Sequence, residues 1–503
     1  MLIRIIVRFV FMMVLLSVNT VKAESIFAYG ADIGWIKQLE DNGVSWVNDE
    51  GNTADPLVIL KNHGVNSVRL RVFVDPDPSA LWYKDSTTWT MLGYTDKQSV
   101  INAALRAQNL GMQIMIDFHY SDVFADPGHQ EKPQSWNSYD FNTLKSAVYN
   151  HTYEVMSALV SAGVTPEWVQ VGNEMNSGIL LPTGSVNNFS NLTQLLNSGY
   201  DAVKAVSSTS KVVSHLAHGE NNANSRWFFD NFLQTYGGKT DVLGFSFYPY
   251  WIGENYWDVT GDLEYNLNDM VSRYGKEVMV VEIGGLENAP TDTYWTIKDT
   301  INIVKNVAND KGTGVFYWEP AANSAVLPDG YPLGATTQIS PSVLQFTTAL
   351  DAFADAQIDL TPTTSYKITN RISSKSLNVV GGSTQDGAYI EQYSYSAWDS
   401  QKFNFSFVDS GYYTITNVKS GKLLTIESES VQSGALISQE TNNGSWSQQW
   451  QILEAGDGYY QLINRKSKKL LDMNQSSLSD GAQSIQWEDN GGWNQQWLIE
   501  VVN

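Results

Sequence analysis

The sequence contains no cysteine among its 503 residues. Disulfide bonds, thiol catalysis and cysteine-based zinc or iron–sulfur sites are therefore excluded. Positive charge is also scarce, because 31 Lys and Arg stand against 53 Asp and Glu, a formal net charge of −22. Phosphate backbones and anionic membrane surfaces repel such a chain, so we expect no nucleic-acid partner. With only six His and no His-Glu-x-x-His motif, we also predict no metal site.

Long apolar runs are absent after the N-terminus. Residues 1–23 combine basic Arg4 and Arg8, an apolar run over Phe9–Leu16 and a small-x-small end at Val21-Lys22-Ala23. This pattern predicts a cleaved signal peptide, although an uncleaved anchor remains an alternative, and the apolar run is short for a membrane span. No cysteine is available for lipid attachment. We therefore expect a secreted or periplasmic protein without membrane contact after cleavage.

Aromatic residues are abundant, with 17 Trp, 25 Tyr and 19 Phe making 12% of the chain, whereas charged residues make only 17%. Flat amphipathic rings with little charge suit a protein that stacks on neutral polar ligands such as sugars. A large aromatic core would give the same composition. Composition leaves these two interpretations open.

The C-terminal region is a threefold repeat. Tyr366, Tyr413 and Tyr460 open segments spaced by 47 residues, and each segment contains strand-like runs separated by Gly, Ser and Asn turns. Two of the three segments close on Gln-Gln-Trp, at Trp450 and Trp497, and the other closes on Gln-Lys-Phe403. Such repeats predict an all-β unit.

This period and its closing motif resemble the ricin-type β-trefoil of carbohydrate-binding module family 13, over roughly 365–503. We expect the closing rings to pack in the core. The resemblance implies that the sugar-binding residues of the third repeat are Asp472, Trp487, Asn490 and Gln495.

The other two repeats match these positions less well. The first has Asn378 and Tyr393, and the second has Thr425 and Glu440, which lack both the acid and the ring. We therefore expect the third site to be the best. A trefoil that only supports the first domain is the alternative.

The N-terminal region alternates short apolar strands with helix-like stretches. Repeated β-then-α units over this length favour an α/β fold, a (β/α)8 TIM barrel, over a doubly wound sheet, because no Gly-rich dinucleotide turn follows the first strand. The predicted domains are the signal peptide over 1–23, the barrel over 24–360 and the trefoil over 365–503. The junction at Pro362 is short, so we expect the two domains to pack directly together. The eight strands are predicted at Ile26–Ile33, Val68–Val74, Gln113–Phe118, Trp168–Val171, Lys211–His215, Val242–Phe247, Glu277–Val281 and Gly314–Trp318.

Two carboxylates follow buried strands directly. Glu174 comes after strand four and Glu282 ends strand seven, so both should point into the pocket at the carboxyl ends of the barrel strands. Glycoside hydrolysis requires one carboxylic acid to protonate the leaving oxygen and one carboxylate to attack or to activate water. No Gly-x-Ser-x-Gly motif supports a rival hydrolytic mechanism.

Longer strings extend this pattern. Asn173-Glu174 after strand four and a Glu after strand seven are the pattern of the large barrel clan of retaining glycosidases. Within that clan the chain resembles glycoside hydrolase family 53, the endo-β-1,4-galactanases, over about 27–350. The strings that carry the resemblance are Gly64–Val72, Ile116–Asp122, Ala125–Pro127, Gly172–Glu174, Leu180–Gly184, Phe245–Pro249 and Gly314–Pro320.

The resemblance implies a role for each matching residue. Glu174 would be the general acid/base and Glu282 the nucleophile, with net retention and carboxyl groups ~5–5.5 Å apart. Arg69 would keep Glu282 charged, although a purely structural ion pair remains an alternative for it. The remaining expected pocket residues are Asn173 for the sugar 2-hydroxyl, Tyr248 as a donor to the nucleophile, Trp318 as the floor under the distorted sugar ring, and His119 and Asp122 as polar lining.

Two departures from the family pattern matter. Phe124 stands where the family usually has Trp, so one stacking surface is smaller. The loop after Glu282 is short, whereas some family members bind calcium in a much longer loop there. We therefore expect no cofactor and regard calcium as doubtful.

The sequence thus predicts an exported endo-acting galactanase that cuts internal β-1,4 bonds of galactan or type I arabinogalactan, held to polysaccharide by its trefoil. A monomer is the default expectation. The alternatives are another retaining β-glycanase of the same clan, such as a mannanase or xylanase, and a non-catalytic carbohydrate-binding protein with an inactive barrel.

Overall fold

The structure is a computed structural model that describes residues 27–48, 51–77, 81–83, 89–354, 360, 364–409, 412–455 and 458–502. The predicted signal peptide and Pro362 at the predicted junction lie outside these ranges. Within them, no helix is both long and apolar enough to cross a membrane.

The N-terminal part is a closed barrel of eight parallel strands, in which each strand pairs with the next along the chain and the last pairs with the first. The predicted (β/α)8 barrel is confirmed, and every predicted strand lies within a few residues of an observed one. The strands are β1 Ala28–Asp32, β2 Ser67–Val72, β3 Gln113–Phe118, β4 Trp168–Val171, β5 Lys211–Leu216, β6 Val242–Phe247, β7 Glu277–Ile283 and β8 Gly312–Tyr317.

Helices follow the strands and cover the outside of the barrel. Several begin at an acidic residue whose carboxylate accepts backbone N–H groups of the first turn, as Asp55, Asp96 and Asp140 do. The helices are α1 Ile36–Asp41, α2 Pro56–Asn62, α3 Lys97–Asn109, α4 Phe141–Ser161, α5 Phe189–Val206, α6 Asn222–Phe229, α7 Pro249–Ile252, α8 Tyr256–Tyr274, α9 Pro290–Lys305 and α10 Asp351–Ala354.

Short strands decorate the barrel. Ser45–Val47, Thr53–Ala54, Thr336–Ser340 and Val343–Phe346 form a four-stranded sheet. Two hairpins pair Leu81–Tyr83 with Trp89–Met91 and Gly178–Ile179 with Gly184–Ser185.

The interior of the barrel has an apolar layer and a polar layer. Met115 and Trp168 belong to the apolar cluster that fills the barrel. Two residues further along the same strands, Asp117 and Gln170 are fully buried polar groups. Because side chains on one face of a strand repeat every second residue, the polar layer lies nearer the carboxyl ends.

The C-terminal part is the predicted β-trefoil. Its first strand pairs along its whole length with its last. Phe403, Trp450 and Trp497 are buried, and both indole N–H groups donate to backbone carbonyls of the same repeat, as the core prediction requires. The strands are β9 Ser365–Asn370, β10 Ser376–Val379, β11 Ala388–Tyr393, β12 Phe403–Asp409, β13 Tyr412–Asn417, β14 Leu423–Ile426, β15 Ile437–Glu440, β16 Gln449–Glu454, β17 Tyr460–Asn464, β18 Leu470–Met473, β19 Ala482–Trp487 and β20 Trp497–Val502.

The barrel and the trefoil meet at an apolar contact. Trp295 on α9 and Tyr256 on α8 pack with Leu453, Ile463 and Leu470 of the trefoil in one buried cluster. Removal of these side chains from water stabilises the contact between the two parts.

A lysine also lies at the same contact. The ammonium of Lys468 donates to the hydroxyl of Tyr412 at 2.7 Å and lies 5.8 Å from the ring centroid of Trp295. Burial lowers the pKa of Lys468, while the charge of Asp299 on α9 opposes that shift. The predicted direct packing of the two domains is therefore present in the structure.

Removal of the Trp295 ring should weaken this contact. We expect Trp295→Ala to lower the free energy of unfolding by about 3 kcal/mol, because it leaves a cavity in a buried apolar cluster. Trp227→Ala is the matched control, since Trp227 on α6 is 47% exposed and Trp295 only 9%. Urea unfolding of both variants tests the prediction, and equal small losses would contradict it.

Candidate active site

A cavity of about 420 Å³ opens at the carboxyl ends of the barrel strands. Both predicted catalytic carboxylates, Glu174 and Glu282, line it. Its wall combines these acids with several aromatic rings and few other charges. The other lining residues are Trp35, His119, Phe124, Ala125, Asp126, Pro127, Asn173, Ala217, His218, Ser246, Tyr248, Trp251, Trp318, Asp329, Tyr331 and Pro332.

Glu174 lies on a strained turn directly after β4. Its φ of 44° is in the left-handed region, and Gly172 two residues before it has a φ of 88°. Gln130 supports the turn, because its side-chain amide donates to the carbonyls of Asn173 at 2.7 Å and of Glu174 at 3.3 Å. The turn aims a carboxylic acid into the cavity from rigid backbone.

The same left-handed backbone recurs where other barrel strands end. Tyr120, His218 and Glu319 follow β3, β5 and β8 and have φ values of 50°, 64° and 51°. Strain is thus concentrated at the end of the barrel that carries the cavity.

Glu282 lies at the end of β7 and is held from two sides. Its Oε1 accepts from Nη1 of Arg69 at 2.9 Å, and its Oε2 accepts from the hydroxyl of Tyr248 at 3.2 Å. Burial raises the pKa of Tyr248 well above its usual value, so the hydroxyl keeps its proton and remains a donor.

Arg69 is completely buried and is the centre of the polar layer. Besides Glu282, Nη1 donates to Asp32 at 2.9 Å, and Nη2 donates to Asp117 at 2.9 Å and to Oδ1 of Asn173 at 2.8 Å. The predicted contact with Glu282 is present, and so is the ion pairing that was the alternative for Arg69.

Burial raises the pKa of both carboxylates, but only Glu282 is paired with a cation. Burial, and then the charge of Glu282, raise the pKa of Glu174 to about 8. Burial also raises the pKa of Glu282, but the ion pair with Arg69 counteracts that rise. When one proton is shared between two buried acids, it resides on the one without a cation. Glu174 is therefore the protonated acid and Glu282 the ionised one.

An aromatic cluster forms one wall of the cavity. The Trp318 ring lies 4.9 Å from Trp35, 4.8 Å from Tyr331 and 6.3 Å from Phe124, all in edge-on contacts. Behind it, the guanidinium of Arg71 lies 4.9 Å from the Phe124 ring. This packing fixes the orientation of Trp318, which lines the cavity.

The structure brings most of the predicted polar residues together. Asn173 lines the cavity and its amide donates to the carbonyl of Ala125 at 2.8 Å. His119 also lines it and bonds Asp117 at 2.8 Å. Asp122 does not line it: its carboxylate accepts the backbone N–H groups of Asp75 and Gln134. The expectation that Asp122 faces the pocket is corrected, because it ties two loops together instead.

The sequence analysis missed four polar groups of the inner layer, Asp32, Asp117, Gln170 and Ser246. All four are buried, and each lies in or at the end of an otherwise apolar strand. A polar residue in such a strand was the signal that could have identified them, because a buried polar group needs a partner.

The loop after β7 is closed by a carboxylate. Glu287 accepts the backbone N–H of Ser324 at 3.0 Å and also the hydroxyl of that residue. Among the residues that the structure describes, no group of three or more His, Asp and Glu side chains could hold a metal ion.

The trefoil site of the third repeat contains a buried acid beside an exposed ring. Asp472 accepts from the side-chain amides of Asn494 and Gln495, both at 2.9 Å. Trp487 is 43% exposed. The backbone N–H of Asn490 donates to Gln495 at 3.0 Å, so the four predicted residues lie on neighbouring segments.

The corresponding groups of the other repeats differ. In the first repeat the Asn378 amide donates to Glu391 at 2.8 Å. In the second repeat Gln448 donates to the Thr425 hydroxyl at 3.3 Å, and no carboxylate takes that place.

Comparison with protein-family models identifies the family of the barrel. Residues 28–353 match the model of glycosyl hydrolase family 53. The chain belongs to that family. Residues 345–503 match the ricin-type β-trefoil lectin domain-like model in three overlapping segments, 345–440, 399–487 and 446–503.

Relatives of this family 53 chain include fungal proteins. A Humicola insolens protein named arabinogalactan endo-β-1,4-galactanase is 35% identical over 312 residues, 58% of this chain and 89% of that protein. An Aspergillus terreus protein named as a probable galactanase of the same type is 33% identical over 313 residues, 58% of this chain and 85% of that protein. A solved structure of fungal β-1,4-galactanases has a TM-score of 0.56 at 30% identity and covers 65% of this chain and 99% of its own.

Removal of the charge of Glu282 should shift the titration of the family 53 acid Glu174. In Glu282→Gln we expect the pKa of Glu174 to fall from about 8, because the neighbouring negative charge that raises it is gone. Carbon-13 NMR of labelled Glu side chains measures this shift. Glu277→Gln is the control, since Glu277 is at the start of β7 and pairs with Lys211. Equal titration curves in both variants would contradict the prediction.

Proposed function

We propose that this chain is an exported, monomeric endo-β-1,4-galactanase that hydrolyses its substrate by double displacement with retention. In this proposal residues 24–360 form the catalytic domain and residues 365–503 hold the enzyme to polysaccharide. The observation that carries the proposal is one cavity lined by two carboxylates, of which only Glu282 is paired with a buried arginine.

In the first step Glu174 donates its proton to the glycosidic oxygen while the Glu282 carboxylate attacks the anomeric carbon. The bond to the leaving sugar breaks and a glycosyl–enzyme ester forms at Glu282. In the second step Glu174, now ionised, takes a proton from water, which attacks the same carbon and releases Glu282. The elevated pKa of Glu174 suits an acid that must be protonated near neutral pH.

The other cavity residues support this chemistry. The hydrogen bonds from Arg69 and Tyr248 hold Glu282 ionised and oriented for attack. Asn173 is placed beside Glu174 to bind the sugar 2-hydroxyl. The fixed ring of Trp318 offers a stacking surface for the sugar in the reacting position.

Galactan is proposed as the substrate because of the names of the relatives. The carboxylate pair itself would serve any retaining β-glycanase, so a mannanase or xylanase would use the same residues. The polar and ionic contacts of Glu282 argue against an inactive barrel, because a binding protein has no need for one acid held ionised beside another held protonated.

Product analysis tests the activity and its specificity. We expect short galacto-oligosaccharides from linear β-1,4-galactan, none from mannan or xylan, and none from any of them with Glu282→Ala, because the nucleophile is then missing. Glu174→Gln should reduce hydrolysis of galactan by ~10²–10⁴-fold, the contribution of a general acid.

The other outcomes separate the alternatives. Products from mannan or xylan instead of galactan would keep the mechanism and reject the substrate. Polysaccharide binding without any release would leave only the non-catalytic alternative.

The proposed polysaccharide contact of the trefoil is the third repeat. Asp472 has one carboxylate oxygen engaged by two amides, which leaves acceptor capacity for sugar hydroxyls, and Trp487 offers an exposed ring beside it.

Loss of these two groups should weaken binding to insoluble galactan. The variants are made in the Glu282→Ala background, which prevents hydrolysis. We expect Asp472→Ala and Trp487→Ala each to lower the affinity for galactan by about tenfold, since a hydrogen-bonded or stacked contact is lost. Trp446→Ala is the matched control, because Trp446 in the second repeat is also 43% exposed. A pull-down assay measures the bound fraction, and equal losses in all three variants would contradict the assignment.

A further inference from the structure

Ser246 on β6 contacts the proposed acid directly. Its backbone pairs in register with Glu282 on β7, and its hydroxyl oxygen lies 2.6 Å from Oε1 of Glu174 and 2.8 Å from Nε2 of His215. Ser246 is 2% exposed, so water does not compete for these contacts. A hydroxyl has one proton to donate. Whether Ser246 donates it to Glu174 or to His215 depends on which ring nitrogen of His215 is protonated.

The surroundings of His215 assign that protonation. His215 is fully buried, and burial lowers its pKa well below the usual value, so the ring is neutral. The backbone N–H of Glu174 points at Nδ1 at 3.4 Å, and a backbone amide can only donate. Nδ1 is therefore the acceptor nitrogen, and the ring proton is on Nε2.

Among the other neighbours of Nδ1, the side-chain nitrogen of Gln170 lies 3.1 Å away and carries only donor hydrogens, which agrees with this tautomer. Oδ1 of Asn173 lies 2.9 Å away, but its two lone pairs are taken by Arg69 at 2.8 Å and by the amide of Gln170 at 2.9 Å. The second hydrogen of that amide is donated to Asp117. Neither Asn173 nor Gln170 thus requires a proton on Nδ1.

The hydrogen bonds then run in one direction around a closed loop. The Glu174 N–H donates to Nδ1 of His215, Nε2–H donates to Ser246, and the Ser246 hydroxyl donates to Oε1 of Glu174. Oε1 is a permanent acceptor. Among the described residues none is hydrogen-bonded to Oε2, and Glu174 lines the cavity.

We propose that Ser246, oriented by His215, is a positioning residue that keeps the transferable proton of Glu174 on Oε2, facing the substrate. The inference rests on the proposed role of Glu174 as acid/base. In the opposite tautomer Nε2 of His215 would be an acceptor, and the Ser246 hydroxyl would donate to it. Protonated Glu174 would then have to donate from Oε1 to Ser246, and its proton would not face the glycosidic oxygen. The same bond also stabilises the ionised carboxylate needed as base in the second step.

Other charged and titratable groups also act on Glu174. Glu282 on β7 and Asp126 in the loop after β3 raise its pKa, whereas Arg69 on β2 lowers it. His218 after β5 also lines the cavity. None of these groups is altered when Ser246 is replaced. A change of the pH profile in that variant therefore measures the effect of the Ser246 hydroxyl on the pKa of Glu174.

The test compares Ser246→Ala with Ser246→Thr, which keeps the hydroxyl. Two substrates are used: a β-1,4-galacto-oligosaccharide, whose leaving oxygen needs a proton, and a dinitrophenyl β-galactobioside, whose leaving group needs none. For Ser246→Ala we expect kcat/KM on the oligosaccharide to fall about tenfold, as for one lost hydrogen bond, and at least fivefold more than on the activated substrate.

The pH profile gives the second readout. Loss of a donor to the ionised carboxylate raises the pKa of Glu174, so the alkaline limb of kcat/KM should move to higher pH in Ser246→Ala and return in Ser246→Thr. Equal losses on both substrates, or an unmoved alkaline limb, would overturn the inference, provided that thermal unfolding shows the variant folded. Failure of the wild-type enzyme to cleave either substrate would instead overturn the proposed function.

Discussion

The catalytic end of the barrel depends on one buried cation. Arg69 has no access to water, so its charge must be compensated by the groups around it, and removal of any one partner leaves charge exposed to a medium of low dielectric. Burial would raise the pKa of Asp117, but Arg69 and His119 lower it, so Asp117 is ionised. Burial raises the pKa of Asp32 well above its usual value despite Arg69. The guanidinium nevertheless donates to all three carboxylates, Asp32, Asp117 and Glu282, each at 2.9 Å.

This sharing links fold and chemistry. Asp32, Arg69 and Asp117 come from three adjacent strands, β1 to β3, and Glu282 comes from β7 across the barrel. Strands that must present these groups to one guanidinium have little freedom of register, since a shift by one residue would turn the groups outwards. The network that pairs Glu282 with Arg69 also holds together the strands that carry these residues.

The fold and the acid pair were predictable from sequence because both are local patterns. Apolar runs separated by helical stretches located the strands, and an acid directly after such a run located Glu174 and Glu282. Asp122 looked similar, yet its carboxylate accepts backbone N–H groups of Asp75 and Gln134, although other residues of its loop line the cavity. Ser246 could not be assigned a role, because its importance comes from His215 and Glu174, which are distant in sequence and meet only through barrel closure.

The contact between the barrel and the trefoil was predicted only in outline. A short junction predicted direct packing, but Trp295 and Lys468 carry no signal in sequence that distinguishes them from other surface residues of a helix or a hairpin. Trp295 is buried, and Lys468 reaches Tyr412 beside it, only because two separately patterned surfaces meet. Interfaces of this kind depend on the shape of both parts, whereas core positions follow from the periodicity of one.

The left-handed backbone at Tyr120, Glu174, His218 and Glu319 has a consequence for heat tolerance. Each such non-glycine residue costs roughly 1 kcal/mol or more, and glycine would relieve that strain. At Glu174 the relief would remove the proposed acid itself, so the strain at this residue cannot be relaxed without loss of the proposed catalysis. A more heat-resistant version of the enzyme would keep this strained residue and gain its stability elsewhere, for example in the apolar layer, in the helices and at the contact with the trefoil.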